Sequence, residues 1–251
     1  MRLLILNANT SQAMTDRVVA AARNIVAPGT TVTGITGRFG AEVIATRSAY
    51  AIAGHAALDA YAEHGRDADA VVLACFGDPG ILALKELAHV PVIGMAEAGC
   101  HMAAQQARRF SIVTGGLRWK AMLTEYVDSL GLGGQLASVR SLDADGGRIA
   151  ADPDTAEAGI VAACRAAIDQ DGAELVILGG AGMVGMVSRV AGHLPVPVID
   201  GLTPAIHMAQ AAVAAGSRKA ASGSLAFPGP VKTAGLAPAL AALLAQSGAV
   251  A

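Results

Sequence analysis

The sequence carries the same local pattern twice, and this repetition constrains the possible folds more than any other feature. One short apolar run ends at Cys75 and breaks at once into the turn residues 76–80. A second apolar run, 173–178, leads into a glycine-rich turn that places Gly180 opposite Cys75, 105 positions later. Further anchors recur at an offset of 106, namely 91–94 with 197–200, and His101 with His207. Several anchors in register predict two related halves.

Apolar runs bounded by turn residues alternate with longer helical patterns along the chain, beginning with a strand at 2–6 and a helix from Gln12. Runs that are apolar on both faces are typical of parallel strands covered by helices. A repeated strand-helix order also implies right-handed crossovers. We therefore predict an α/β fold of two pseudo-symmetric Rossmann-like halves, each a mainly parallel sheet flanked by helices. The first half takes residues 1–97 and 207–251, the second takes 98–206, and the active site lies in the cleft between them.

Composition excludes several classes of protein. The chain has 251 residues with a net charge of −2 and no basic cluster, which argues against nucleic-acid binding. No apolar run reaches the roughly 20 residues of a membrane-spanning helix, and the apolar N-terminal run is too short for a signal sequence. We expect a cytoplasmic protein without a membrane partner. Its 53% hydrophobic content also predicts exposed apolar patches and a homo-oligomer.

The three cysteines, at 75, 100 and 164, have neither a disulfide pattern nor metal-ligand spacing, so no metal site is predicted. The glycines at 179–182 are not preceded by a G-x-G-x-x-G motif on the first strand. We therefore expect chemistry without a nucleotide or any other cofactor.

Cys75 is predicted at the carboxyl end of a strand, where open α/β sheets bind ligands. Asp78 should cap the helix that follows, with Pro79 in its first position. A helix N-terminus lowers the pKa of a thiol from about 8.5 toward neutrality, which would allow Cys75 to take or give a proton. The alternative is a buried thiol that serves only as a small apolar side chain.

Other polar residues follow strand ends and should meet Cys75 at the same edge. Asn7 and Asn9 follow the first strand, and Thr114 and Gly115 close the first strand of the second half. Strand ends of α/β sheets converge on one crevice, and free turn N–H groups there bind oxygen. Asn7, Asn9 and the glycines could equally serve only local turn and cap hydrogen bonds.

Four segments together resemble the hydantoin racemase branch of the aspartate/glutamate racemase superfamily: 6–10 (L-N-A-N-T), 75–80 (C-F-G-D-P-G), 111–114 (S-I-V-T) and 179–183 (G-G-A-G-M). The resemblance runs along essentially the whole chain. It implies two pseudo-symmetric α/β halves, no cofactor, and one cysteine from each half on opposite sides of the substrate's acidic carbon. Cys75 matches the first cysteine. Gly180 stands where the family pattern G-C-A-G-M has the second.

The resemblance implies a cofactor-independent racemase or epimerase of a 5-substituted hydantoin or related small carbonyl compound, impaired by the missing cysteine. The residues expected to contact this substrate are Asn7, Asn9, Phe76, Gly77, Thr114, Gly115, Gly180 and Ala181. Asp200 or His207 could supply a replacement base. Two alternatives stay open: a single-cysteine decarboxylase of a malonate-like substrate, and a binding protein that has lost the chemistry.

Overall fold

The computed structural model describes residues 1–246; residues 247–251, the end of the segment assigned to the first half, lie outside the described residues. The described chain alternates strands and helices, as predicted. Its strands are β1 (Arg2–Asn7), β2 (Thr31–Thr36), β3 (Ala70–Leu73), β4 (Val92–Gly94), β5 (Phe110–Gly115), β6 (Leu136–Leu142), β7 (Leu175–Gly179) and β8 (Val198–Asp200). Its α-helices are α1 (Gln12–Arg23), α2 (Arg47–His64), α3 (Ile81–Leu87), α4 (Met95–Gln106), α5 (Trp119–Ser129), α6 (Gly146–Ala151), α7 (Pro153–Asp169), α8 (Val187–Val190), α9 (Leu202–Ala214) and α10 (Pro238–Leu244).

The strands form two four-stranded parallel sheets with the same topology, which confirms the predicted fold class. The first sheet has the order β2-β1-β3-β4 and the second β6-β5-β7-β8. In the first sheet Leu6 pairs with Leu73, and in the second Thr114 pairs with Gly179. The Cys75 turn and the Gly180 turn therefore leave the carboxyl ends of equivalent central strands.

Each sheet is stabilised by burial on both faces, as the apolar runs predict. All four residues of β3 and all five of β7 are buried. Helices cover these faces, and several of them begin at a residue whose side chain accepts a hydrogen bond from the first turn. Ser11 caps α1 by accepting from Met14 N, and Asp152 caps α7 by accepting from Thr155 N.

Two helices cross between the halves. Helix α4 follows β4 of the first sheet but packs against β7 of the second, whereas α9 follows β8 of the second sheet and packs against β3 and β4 of the first. The two helices also pack on each other. This packing fits domain boundaries near α4 and α9, and the boundaries 97/98 and 206/207 remain a prediction.

The segment after α9 returns to the first half. Lys219 Nζ donates to the carbonyl oxygens of Lys85 and Glu86, at the end of α3. The ring of Phe227 stacks on His89 with centroids 5.2 Å apart, and α10 packs against α2. Among the described residues, no helix combines the length and apolar character needed to cross a membrane.

Candidate active site

A small cavity of about 70 Å³ lies where the carboxyl ends of the two sheets face each other. Both halves contribute to it. Its lining includes the predicted site residues Asn9, Cys75, Phe76, Thr114, Gly115, Gly180 and Ala181. Asn7 and Gly77, which were also predicted to contact the ligand, are absent from this lining.

The environment of Cys75 differs from the sequence-based expectation. The thiol residue is 8% exposed at the end of β3, but α3 begins only at Ile81, after a left-handed Gly80. Asp78 does not cap α3, and Pro79 precedes it. Burial raises the pKa of Cys75 to about 12, and the Asp78 carboxylate acts in the same direction. The expected lowering of this pKa was therefore wrong, because burial and a nearby carboxylate both disfavour the thiolate.

The Gly180 turn faces the cavity with backbone instead of a side chain. Gly180 has φ 131° and ψ 145°, a conformation that residues with a Cβ rarely adopt. A Cβ built on it would lie 3.9 Å from Thr114 Oγ1 and 4.0 Å from Met183 Cγ, so space is available there. Within the described chain, the N–H groups of Gly180, Ala181 and Gly182 have no hydrogen-bond acceptor. This side of the cavity can therefore donate hydrogen bonds to an oxygen of a ligand.

Asn9 and Thr114 add side-chain donors. Asn7 is buried and donates through Nδ2 to Asn9 Oδ1 at 2.7 Å and to Thr15 Oγ1 at 3.0 Å. These contacts orient Asn9, whose Nδ2 donates to no described residue. Thr114 is 4% exposed, and its hydroxyl likewise has no partner in residues 1–246. Asn7 thus supports the site, while Asn9 and Thr114 line it.

Phe76 and Gly77 hold the Cys75 turn against the second half. The Phe76 ring fills space that a Cβ at Gly179 or Gly201 would occupy, with distances of 2.7 and 3.0 Å. A Cβ on Gly77, at φ 119°, would lie 2.7 Å from the Trp119 ring. Tyr50 also donates its hydroxyl to Gly77 O at 2.7 Å. Close packing therefore explains the glycines at 77, 179 and 201.

Several residues that line the cavity were not predicted from the sequence. Trp119, the only tryptophan of the chain, opens α5 and donates Nε1–H to Ile44 O at 3.0 Å. Its place just after the β5 turn was the one signal that could have identified it. Half of the other missed residues lie in loops without a periodic pattern, and the rest lie beside segments that the sequence did identify or at helix starts: Met14, Glu42, Val43, Ile44, Ala45, Ala74, Asp145, Gly146, Gly147, Gly179, Gly182 and Met183.

Asp200 and His207, the suggested replacement bases, are not part of this cavity lining. They lie along a different groove, together with Asn24 and Thr203. Asp200 Oδ1 accepts from Thr203 N at 2.8 Å and so begins α9. The carboxylates that do line the cavity are Glu42, which is exposed, and Asp145, which caps α6 by accepting from Arg148 N.

Comparison with known proteins gives consistent matches along most of the chain. The sequence model of the Asp/Glu/Hydantoin racemase family matches residues 3–210. A hydantoin racemase from Paenarthrobacter aurescens is 37% identical over 230 residues, covering 91% of this chain and 98% of that protein. The crystal structure of allantoin racemase from Pseudomonas fluorescens superimposes with a TM-score of 0.90 at 32% identity, covering 94% of this chain and 100% of that one. Allantoin racemase from Klebsiella pneumoniae gives a TM-score of 0.89 at 36% identity, with 96% and 98% covered.

Proposed function

Because this chain belongs to the Asp/Glu/Hydantoin racemase family, we propose that it is a cofactor-independent racemase or epimerase of a 5-substituted hydantoin or related small carbonyl compound. The observation that carries the proposal is a cysteine, Cys75, at a cavity built from the strand ends of both halves.

In the proposed reaction, the Cys75 thiolate removes the hydrogen from the carbon next to the substrate carbonyl. The C–H electron pair moves into the ring, and the carbonyl oxygen becomes an enolate oxygen. N–H donors of the 180–182 turn, with the Thr114 hydroxyl, stabilise the developing negative charge. The Cys75 thiol exchanges its proton with solvent and then returns a proton to the same face of the carbon, and the carbonyl re-forms.

Inversion needs a proton donor on the other face of the carbon, and Gly180 supplies no side chain there. We propose that water delivers that proton slowly, and that the hydroxide left behind takes the proton of the Cys75 thiol, which restores the thiolate. Because Cys75 returns a proton only to the face it came from, exchange of the substrate hydrogen with solvent should be faster than racemisation. Each tenfold loss of rate on the second face corresponds to about 1.4 kcal/mol of missing transition-state stabilisation.

A decarboxylase of a malonate-like substrate is the second candidate, and the state of the thiol favours it. Within residues 1–246, Cys75 is the only cysteine that lines the cavity, and its pKa of about 12 keeps it protonated at neutral pH. Loss of CO₂ leaves an enolate that needs one proton on one face. A single protonated thiol can supply that proton.

Deuterium exchange distinguishes these functions. Each enantiomer of a 5-substituted hydantoin is incubated with the protein in D₂O, and loss of the C5 proton is followed by NMR beside optical rotation. We expect one enantiomer to exchange much faster than it inverts, and the other to exchange slowly. Equal exchange of both enantiomers would contradict a single base. CO₂ release from a substituted malonate without hydantoin exchange would favour the decarboxylase, and neither activity would favour a binding protein.

We also infer that the protein is cytoplasmic and self-associates. Support for association comes from large apolar side chains on the surface, including Leu82, 65% exposed, and Leu117, 63% exposed. Sedimentation at micromolar concentration should show an oligomer. A monomer under those conditions would contradict the inference.

A further inference from the structure

Asp78 adopts an unusual backbone conformation in the turn that carries Cys75. Its φ of 51° makes it the one non-glycine residue with positive φ in the described chain. The residue is also fully buried. A strained conformation of this kind persists only where the surrounding contacts hold it, and such residues concentrate at functional sites.

The carboxylate of Asp78 makes three hydrogen bonds away from its own turn. Oδ1 accepts from Ala96 N at 3.0 Å, and Oδ2 accepts from Glu97 N at 2.8 Å and from the Tyr126 hydroxyl at 2.7 Å. Helix α4 carries the two amides and packs on the second sheet, and α5 carries Tyr126. Asp78 therefore connects the Cys75 turn to Tyr126 of the second half and to the start of α4, the helix that crosses from the first half to the second sheet.

Asp78 takes the place of a local cap on α4. The residue at the N-cap position is Gly94, which has no side chain. A Cβ on Gly94 would lie 2.3 Å from the Asp78 carboxyl carbon, so the glycine makes room for the carboxylate. The first turn of α4 thus gains its capping group from 16 positions earlier in the sequence.

Backbone contacts link this carboxylate to the thiol residue. Asp78 N donates to Cys75 O at 2.9 Å, which closes the turn between them. The position of the thiol in the cavity therefore depends on where the Asp78 carboxylate is held.

The second half solves the same capping problem differently. Asp200 occupies the position equivalent to Gly94, at the offset of 106, and caps α9 through Thr203 N at 2.8 Å. That carboxylate lies at the strand end and outside the Gly180 turn. In the half that carries the thiol, the carboxylate that caps α4, Asp78, is part of the turn itself. In the other half, the corresponding carboxylate, Asp200, is not.

We propose that Asp78 is a positioning residue for Cys75: it fixes the thiol in the cavity by anchoring the Cys75 turn to α4 and to Tyr126 of the second half, and it places a buried carboxylate near the thiol. The proposal rests on the proposed role of Cys75 as the proton-transferring group. Its test uses no turnover, so its failure would leave the proposed function untouched.

Other charged and titratable groups face Asp78 and must be considered in any pH dependence. Burial raises the pKa of Asp78 to about 7, whereas its hydrogen bonds act in the opposite direction. Above that pH the carboxylate is charged and opposes ionisation of the thiol. The groups around Asp78 are Cys75 on its own turn, Tyr50 on α2, Lys85 on α3 through its ion pair with Glu97, Glu97 and Cys100 on α4, and Tyr126 on α5.

The test measures how fast Cys75 reacts with methyl methanethiosulfonate, with modification located by peptide mass. Cys100 and Cys164 are fully buried, whereas Cys75 is 8% exposed and lines the cavity, so Cys75 should react first. Asp78→Asn keeps the shape, removes the charge and replaces one acceptor oxygen with an NH₂ group, and we expect modification about tenfold faster at about pH 9. At about pH 6, Asp78 is protonated and uncharged in the protein without the substitution. The modification rates of that protein and of Asp78→Asn should therefore converge. A loosened turn would raise the rate at both pH values.

Two further variants test the role of Asp78 without depending on the folding of Asp78→Asn. Tyr126→Phe removes one hydrogen bond and leaves the charge, so modification at about pH 9 should not accelerate. Asp200→Asn removes the charge at the start of α9 but keeps the oxygen that accepts from Thr203 N, so we expect a nearly unchanged unfolding midpoint and unchanged Cys75 reactivity. Equal rates for Asp78→Asn and the unmodified protein at both pH values, or equal acceleration in Asp78→Asn and Asp200→Asn, would overturn the proposal.

Discussion

The Cys75 turn and the Gly180 turn leave equivalent strands, yet they are held in different ways. The Cys75 turn is fixed by side chains: Asp78 bonds to α4 and Tyr126, and Phe76 packs between two glycines of the second half. The Gly180 turn is fixed by backbone packing, because a Cβ on Gly182 would clash with Gly146 O. The Cys75 turn holds a reacting side chain in place, and the Gly180 turn brings backbone N–H groups close to the cavity.

The strongest test of this comparison removes the thiol. Cys75→Ser should reduce hydantoin exchange by about a thousandfold or more, since a positioned acid-base group contributes about 10²–10⁴ in rate. NMR in D₂O measures the effect. Cys164→Ala is the matched control because it removes a buried thiol from the core of the second half, outside the cavity lining. Retained exchange in Cys75→Ser would show that the two turns do not differ in the way proposed.

Adding a thiol to the other turn should make the halves chemically alike. Gly180→Cys is expected to raise racemisation by about a hundredfold by supplying the second face with an acid-base group. The positive φ of Gly180 opposes this change and should lower the free energy of unfolding by about 1–3 kcal/mol.

Gly180→Ala is the control, since it introduces the same backbone strain without a thiol. Urea unfolding should give the two variants similar losses of stability. If Gly180→Cys racemises the substrate no faster than Gly180→Ala, a thiol at position 180 is not sufficient. The two turns would then differ in backbone shape as well as in one side chain.

The pH dependence of hydrogen exchange tests the pKa of the Cys75 thiol and does not involve the Gly180 turn. Exchange requires the thiolate, and the pKa of Cys75 is raised to about 12. The thiolate fraction, and with it the rate, should increase about tenfold per pH unit between about pH 7 and pH 9. A plateau within this range would show that the bound substrate lowers the pKa of the thiol, or that another base acts.

The smallest expected effect concerns the Gly180 side of the cavity. Thr114→Ala removes one hydroxyl donor beside that turn and should weaken ligand binding about fivefold, corresponding to about 1 kcal/mol. Thr114→Ser keeps the hydroxyl and should bind nearly as well as the unmodified protein. Quenching of Trp119, the single tryptophan, reports binding from within the cavity. Equal affinity for all three proteins would remove Thr114 from the site.

Local patterns predicted the sheets and the place of the cavity because the carboxyl ends of parallel strands must converge. Cys75, Thr114 and Gly180 could be located in this way. The role of Asp78 could not, since its partners Ala96, Glu97 and Tyr126 lie 18, 19 and 48 positions away. The sequence Asp-Pro-Gly points instead to a cap on the next helix. The raised pKa of Cys75 could not be predicted from the sequence either, because the burial of the thiol depends on the packing of both halves.

The crossing of α4 and α9 has a consequence for how this chain folds and how its halves could have arisen. Because each sheet receives a covering helix that follows the other sheet, neither half has a complete core without its partner. The two halves should therefore fold in a single cooperative step, and a fragment that ends after α4 should expose the apolar face that α9 covers. Two copies of such a half could cover each other's exposed apolar faces by the same exchange of helices. The present chain has the architecture of a domain-swapped homodimer joined into one polypeptide, with a thiol in the turn of one half and none in the equivalent turn of the other.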